Sequence, residues 1–308
     1  MSDMQHDGDF LNAVEMGVGN WAWGDRIFWG GRRLYSDADS RAAFEASVAA
    51  GITFVDTAEV YGLGRAERLL GQFMRESGQQ VTIATKFYPM PWRWAKGAMR
   101  RALRGSLRRL GVSRVDLYQI HFPVPPRPIE FWVDALADMV QEDLTRAVGV
   151  SNYDTDQMRR AYEVLARRGV TLASNQVEYS LLHRDPEQNG LMAACEELGV
   201  RLIAYSPLAK GLLTGKYTPE NLPTGLRKRS FREKAGRVQP LVARLREIGE
   251  AHGGKTPAQV ALNWTIRKGV LPIPGARNAQ QAEQNAGALG WHLTDEEVAV
   301  LDEASAAL

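Results

Sequence analysis

Residues 51–62 read GITFVDTAEVYG. A glycine follows an amphipathic stretch and opens the apolar run Ile52-Thr53-Phe54-Val55; the run ends on Asp56, and Tyr61 and Gly62 come shortly after. A glycine that closes a helix in the left-handed region and feeds a β-branched run is the joint of an αβ unit. The same joint recurs at Gly111-Val112, Gly169-Val170, Gly199-Val200 and Gly269-Val270.

Working outward from these joints, eight strand-like runs follow one another: GVGNW near residue 19, ITFVD, VTIATK ending at Lys86, VDLYQIH ending at His121, AVGVSN ending at Asn152, ASNQVEY, RLIAYS and VLPIP. Helical patterns such as 129–142 and 154–168 separate them. Alternating helices and buried, β-branched strands predict a parallel sheet, and eight units predict a closed (β/α)8 barrel forming a single domain over residues 1–308. A doubly wound open sheet is the weaker alternative, because no G-x-G-x-x-G turn follows an early strand. Two stretches stand outside the repeat: a polar N-terminal segment, 1–12, and a long irregular stretch after the seventh strand, 215–238. The second is expected to be a functional loop or lid.

Composition narrows the function. With 44% hydrophobic residues, 24% charged and eight tryptophans, the 308-residue chain is globular with a large core. Thirty-eight basic side chains against thirty-six acidic leave a charge of +2, too little to imply a nucleic acid or membrane partner. The single Cys195 rules out an internal disulfide and multi-cysteine metal sites; its helical spacing with Leu191 and Leu198 predicts a core position. The N-terminal residues lack the features of a secretory leader, and no run approaches the ~18 apolar residues of a membrane span, so the default expectation is a soluble cytoplasmic protein.

In barrels of this kind chemistry sits where the strands end. Here three successive runs end on Asp56, Lys86 and His121, with Tyr61 on the loop after the second. Singly, each has an ordinary structural explanation; together at consecutive strand ends they form a set suited to protonating a carbonyl oxygen. An ammonium at Lys86 is expected to lower the pKa of the Tyr61 hydroxyl, with Asp56 as counter-ion and His121 orienting a substrate oxygen. A metal-dependent hydrolase is disfavoured, since the five histidines include no H-x-H pair.

These motifs resemble the aldo-keto reductases from about Val18 to the final helix: DTAEVYG is similar to the family's Asp and Tyr motif, ATKF to its Lys motif and DLYQIH to its His motif. The resemblance implies a catalytic tetrad of Asp56, Tyr61, Lys86 and His121, a (β/α)8 barrel, a small carbonyl substrate and NADP(H) as cofactor. It also implies that Ser151, Asn152 and Gln176 hold the nicotinamide carboxamide and that Tyr205 stacks on the ring. SPLAKGLLTGKY, residues 206–217, is similar to the family's pyrophosphate segment, which points to Ser206, Pro207, Leu208, Gly211, Leu213 and Lys216. PIPGARNAQQAEQN, residues 272–285, resembles the adenosine-phosphate site, with Ala276, Arg277, Gln281 and Asn285 as its residues. Many members carry Lys-Ser where this chain has Gly275-Ala276, so recognition of a 2′-phosphate is expected to rest on Arg277.

For the substrate pocket, the aromatic segments WAWGDRIFWGG and FYPMPWRW single out Trp21, Trp23 and Phe87, while Phe28, Trp29, Trp92 and Trp94 are equally readable as loop anchors. Arg100, Arg104 and Arg108 form one solvated helix row, and Arg227, Lys228, Arg229 and Arg232 belong to the long stretch. GVGNWAWGDRIFWGG, LPTGLRKRSFR and GALGWHLTDEE resemble the family's pyridoxal reductase branch more than its sugar or steroid branches, implying a flat heteroaromatic aldehyde. A non-catalytic NADPH-binding module, similar to the family's channel-associated β-subunits, is the rival function. No protein partner is expected.

Overall fold

A computed structural model describes residues 8–25, 35–223 and 227–308. Phe28, Trp29 and the side chain of Arg227 lie outside the described residues. The eight strands are β1 (Gly17–Gly19), β2 (Phe54–Asp56), β3 (Thr82–Phe87), β4 (Val115–Ile120), β5 (Thr145–Ser151), β6 (Leu172–Glu178), β7 (Arg201–Tyr205) and β8 (Leu271–Pro272). They pair in parallel and in chain order. A parallel bridge between Gly19 and Gly275 and the bond from the Gly19 N–H to the Pro274 carbonyl, 3.0 Å, carry β8 round to β1. The protein is a (β/α)8 barrel.

Each predicted joint is built as expected. Gly51, Gly111, Gly169, Gly199 and Gly269 all have φ between 65° and 83°, the left-handed region where a side chain would be strained. At the other ends of the helices, capping boxes start Asp37–Ala49 at Ser36, Thr155–Arg167 at Asp154, Pro257–Arg267 at Thr256 and Asp295–Ala306 at Thr294.

Strand alternation divides the apolar residues into two sets. Phe54, Ala84, Leu117, Ala147, Ile203 and Leu271 fill the inside of the barrel, and the larger set lies between the sheet and the helices. Leu11, from the short turn Asp9–Ala13, is fully buried in the inner set. The described part of the polar N-terminal segment is therefore a plug. It lies by the strand starts, since a Cβ on Gly8 would come within 2.7 Å of Cβ of Ala173 in β6.

The stretch 215–238 is not wholly irregular. Its described part holds two short helices, Arg227–Arg232 and Lys234–Arg237, and is tied down by the ring of Phe231, edge-on to Tyr217 at 5.2 Å, and by buried Ala235 and Val238. Cys195 is buried against Met158, as its spacing predicts. No helix among the described residues is long and apolar enough to cross a membrane.

Candidate active site

The strand ends open into a cleft of about 730 Å³. Its lining divides by element. Asp56, Tyr61, His121, Ser151, Asn152 and Gln176 come from β2 to β6 and the turns just after them; Ser206, Pro207, Leu208, Lys210, Gly211 and Lys216 follow β7; Gly275, Arg277, Gln281 and Asn285 follow β8.

At the first set of residues the polar groups interlock. Lys86 is fully buried behind the cleft wall, the next-to-last residue of β3. Its ammonium has three protons to give and three acceptors: the Asp56 carboxylate, the Thr57 carbonyl at 2.9 Å and the Tyr61 hydroxyl at 3.5 Å. The second oxygen of Asp56 accepts from Gln176 Nε2 at 2.8 Å and from Gln119 Nε2 at 3.5 Å. A buried ion pair of this kind persists only when such bonds satisfy its remaining lone pairs.

Tyr61 is held by backbone contact. Its loop abuts the turn after β1 so closely that a Cβ on Gly62 would stand 2.1 Å from the Gly24 carbonyl oxygen, and one on Gly24 would stand 2.7 Å from the Tyr61 carbonyl oxygen. That is why Gly62 follows the tyrosine. Burial, and then the charge of Asp56, raise the Tyr61 pKa well above the ordinary phenol value. The expected lowering by Lys86 is corrected: the Asp56 carboxylate offsets the ammonium, so the phenol keeps its proton. Burial lowers the Lys86 pKa, and Asp56 opposes that fall.

His121 follows the last residue of β4; its N–H bonds the Phe87 carbonyl at 2.8 Å and its carbonyl accepts from Asn152 Nδ2 at 3.0 Å. The ring lies edge-on to Tyr61 at 5.7 Å and stacks on Phe122 at 5.1 Å. Burial, reinforced by Lys86, depresses its pKa to about 3, so it is a neutral imidazole near pH 7. Nδ1 is buried with no hydrogen-bond partner among the described residues.

The next group forms a relay of side chains. Ser151 Oγ donates to the Gln176 carbonyl at 2.8 Å, Asn152 Nδ2 donates to Ser151 Oγ at 3.0 Å, and the Tyr205 hydroxyl donates to Asn152 Oδ1 at 2.9 Å. Asn152 reaches this position through a left-handed backbone, φ 61°. Tyr205 is half-buried, and burial followed by the charge of Glu178 pushes its pKa up to about 12.

After β7 the backbone turns through left-handed residues at Ser206, Ala209, Lys210 and Gly211. Lys210 and Lys216 are exposed on the cleft lining. Beyond β8, the Arg277 guanidinium lies over the Tyr35 ring at 4.3 Å, and Gln281 Oε1 accepts from its backbone N–H at 3.1 Å. Asn285 Nδ2 donates to the Gly275 carbonyl at 3.4 Å.

Four expected site residues stand elsewhere. Phe87 is fully buried against Trp132, because it follows inward-facing Lys86 in a strand and so takes the opposite face. Trp23 packs on Phe44 and Phe73, and its indole N–H donates to the Ala276 carbonyl at 2.7 Å, whereas Trp21, two residues earlier on the same turn, lines the cleft beside Tyr61. Leu213 and Ala276 are both fully buried in the core beneath the residues that line the cleft. The residues that sequence reasoning missed are Gln119, Phe122, Glu178, Lys210, Thr214 and Thr256. Gln119 and Phe122 sit within DLYQIHF, two positions before and one after His121, and strand period alone would have turned Gln119 inward with His121.

The sequence profile of the Aldo/keto reductase family matches residues 15–306. The chain belongs to this family. It is an oxidoreductase. It is 43% identical to the chloroplastic pyridoxal reductase of Arabidopsis thaliana, over 96% of this chain and 84% of that protein. The glycerol dehydrogenase of Gluconobacter oxydans superposes with a TM-score of 0.83 at 29% identity, covering 95% of this chain and 91% of that one. An aldo/keto reductase from Klebsiella pneumoniae, solved with NADP and acetate, superposes with a TM-score of 0.74 at 33% identity, covering 94% and 90%.

Proposed function

We propose that this aldo/keto reductase reduces an aldehyde or ketone to the alcohol with NADPH, and that Tyr61 delivers the proton. The observation that carries the reading is the Tyr61 hydroxyl: it lines the cleft near neutral His121, keeps its proton, and has the Lys86 ammonium 3.5 Å behind it.

The donor set fits a dinucleotide. Amides and a hydroxyl line the part of the cleft built by β5 and β6, the partly exposed Tyr205 ring stands beside them, and the cations Lys210, Lys216 and Arg277 line the part that follows β7 and β8. In this reading Ser151, Asn152 and Gln176 orient the nicotinamide, Ser206, Pro207, Leu208, Gly211 and Lys216 border the pyrophosphate, and Arg277, with Gln281 and Asn285, takes the adenosine phosphate. When bound, NADPH supplies the hydride.

The chain's own work is to place the carbonyl and move one proton. Neutral His121 orients the substrate oxygen toward Tyr61. As the phenol gives up its proton, negative charge develops 3.5 Å from Lys86, so the ammonium acts on the transition state more than on the resting phenol. Asp56, held by Gln176 and Gln119, keeps Lys86 aimed.

We read pyridoxal as the substrate. Two observations support this: the similarity to a pyridoxal reductase over nearly the whole chain, and an aromatic surround of Trp21, Tyr61 and Phe122 suited to a flat heteroaromatic aldehyde. Loss of NADPH absorbance, followed with pyridoxal, 4-nitrobenzaldehyde, methylglyoxal and an aldose, tests both levels. Pyridoxal is expected to have the highest kcat/KM; turnover of pyridoxal no faster than of the aldose removes the finer reading, and turnover of none removes the reductase reading.

A further inference from the structure

A second groove, of about 570 Å³, lies between the loop after β3 and the helix Gly97–Leu110. Trp94 helps to anchor that loop: its carbonyl accepts from Arg127 Nη2 at 2.8 Å and its ring lies under the Arg127 guanidinium at 5.4 Å. Arg93 does so too, through Glu59 at 2.5 Å, the Tyr88 carbonyl at 2.8 Å and the Phe87 ring at 4.8 Å. Trp92 is left 71% exposed and Trp94 57% exposed, both on the groove. A folded surface rarely shows two such rings on one groove without a use for them.

The helix side is cationic. Arg100 and Arg104 pair with Glu142, away from the groove, on the solvated helix face expected from the sequence. Arg101 and Arg108 line the groove, and neither has an ion-pair or hydrogen-bond partner among the described residues. Arg109 also lines it; Nε bonds buried Glu67 at 2.5 Å and Nη2 bonds Ser106 at 3.0 Å, which holds the guanidinium in place.

The groove has a defined anchoring point. Gly105 is part of its lining, and the place where a Cβ would stand lies 3.2 Å from Arg109 Nη1 and 3.9 Å from Arg108 Nη2. Two guanidinium groups thus converge over a helical glycine that has no side chain to hold them apart. The one carboxylate on the groove, Glu59, is already bonded to Arg93.

We propose that this groove binds a small, flat aromatic phosphate, with the phosphate between Arg108 and Arg109 over Gly105 and the ring against Trp92. Arginine favours phosphate because its planar fork matches the oxygens, and tryptophan presents a flat face for stacking. The site is separate from the catalytic cleft.

The test is calorimetry with 4-nitrophenyl phosphate on protein saturated with NADP⁺, so that the nucleotide cleft is occupied. Saturable binding is expected, weakened by about tenfold or more in Arg108→Ala, where a charge-assisted contact is lost. Trp92→Ala should also weaken it, and so should Gly105→Ala, whose methyl group would press on Arg109 Nη1 at 3.2 Å and displace the guanidinium. Aldehyde kcat/KM should be unchanged in all three. No saturable binding below about 5 mM overturns the proposal. So does equal affinity in Arg108→Ala, or binding of inorganic phosphate as tight as that of the aromatic ester.

Discussion

The two halves of the cleft at the strand ends solve opposite problems. On the side built by β2 to β6, charge is dry and fixed: Lys86 and Asp56 are almost wholly buried, and each proton of the ammonium meets an acceptor. On the side that follows β7 and β8, Lys210, on left-handed backbone, and Lys216 stand exposed, and Arg277 rests on a tyrosine ring. Fixed charge in a water-poor site favours a transition state, because it need not reorganise as the reaction proceeds. Exposed charge captures an anion and releases it. A substitution in the first half should therefore change rate and stability; one in the second should change affinity alone.

The sharpest way to break this comparison is Tyr61→Phe, which keeps the ring and removes the proton. Carbonyl reduction should fall by about 10²–10⁴-fold, the usual contribution of a general acid, with NADPH affinity unchanged by fluorescence titration. A near-normal kcat would show that the dry half does not supply the proton. Lys86→Met reaches the same half from behind. It strands Asp56 in the interior, so the variant should be inactive and less stable by about 3–5 kcal/mol in urea melts. An active variant as stable as the parent would make the pair ornamental.

Arg277→Ala tests the other half. NADPH binding should weaken by roughly ten- to a hundredfold, the effect of one charge-assisted contact of ~1.5–3 kcal/mol, while NADH binding and the temperature midpoint hardly move. Equal losses for both nucleotides would separate Arg277 from the 2′-phosphate. The smallest effect concerns acid. Folded His121 titrates near 3 against about 6.5 unfolded, so below pH 6.5 the unfolded chain takes up a proton that the folded one refuses. Its contribution to stability is full above about pH 6.5 and is lost as pH falls toward 3, by up to ~1.4 kcal/mol per unit. Urea melts at about pH 7.5 and 5.5 should show a larger acid loss in the parent than in His121→Asn; parallel losses would mean the ring is not held neutral.

The barrel and the ends of its strands were legible because both rest on local rules: left-handed glycines close most of the units, and ionisable residues terminate apolar runs. What was not legible depends on depth and direction. Trp21 and Trp23 belong to one short turn, and only packing on Phe44 and Phe73 decides that the second turns inward. Leu11 reads as part of a polar segment until the barrel provides an interior to fill. The Tyr61 hydroxyl has a cation and an anion nearby, and the sign of its shift follows from burial and from Asp56 offsetting Lys86. Phe87 is different: the period of β3 places it on the outer face once Lys86 is turned in, so that error lay in the reading and not in the information.

The contact between Gly24 and Gly62 leaves no room for a methyl group on either residue. The turn that presents Trp21 and the loop that presents Tyr61 therefore move as one body. Redesign of this enzyme for a new substrate has to proceed by exchanging side chains on a fixed frame, since a shift of the first turn would drag Tyr61, the proposed proton donor, with it, and any graft of a foreign loop must bring both glycines together.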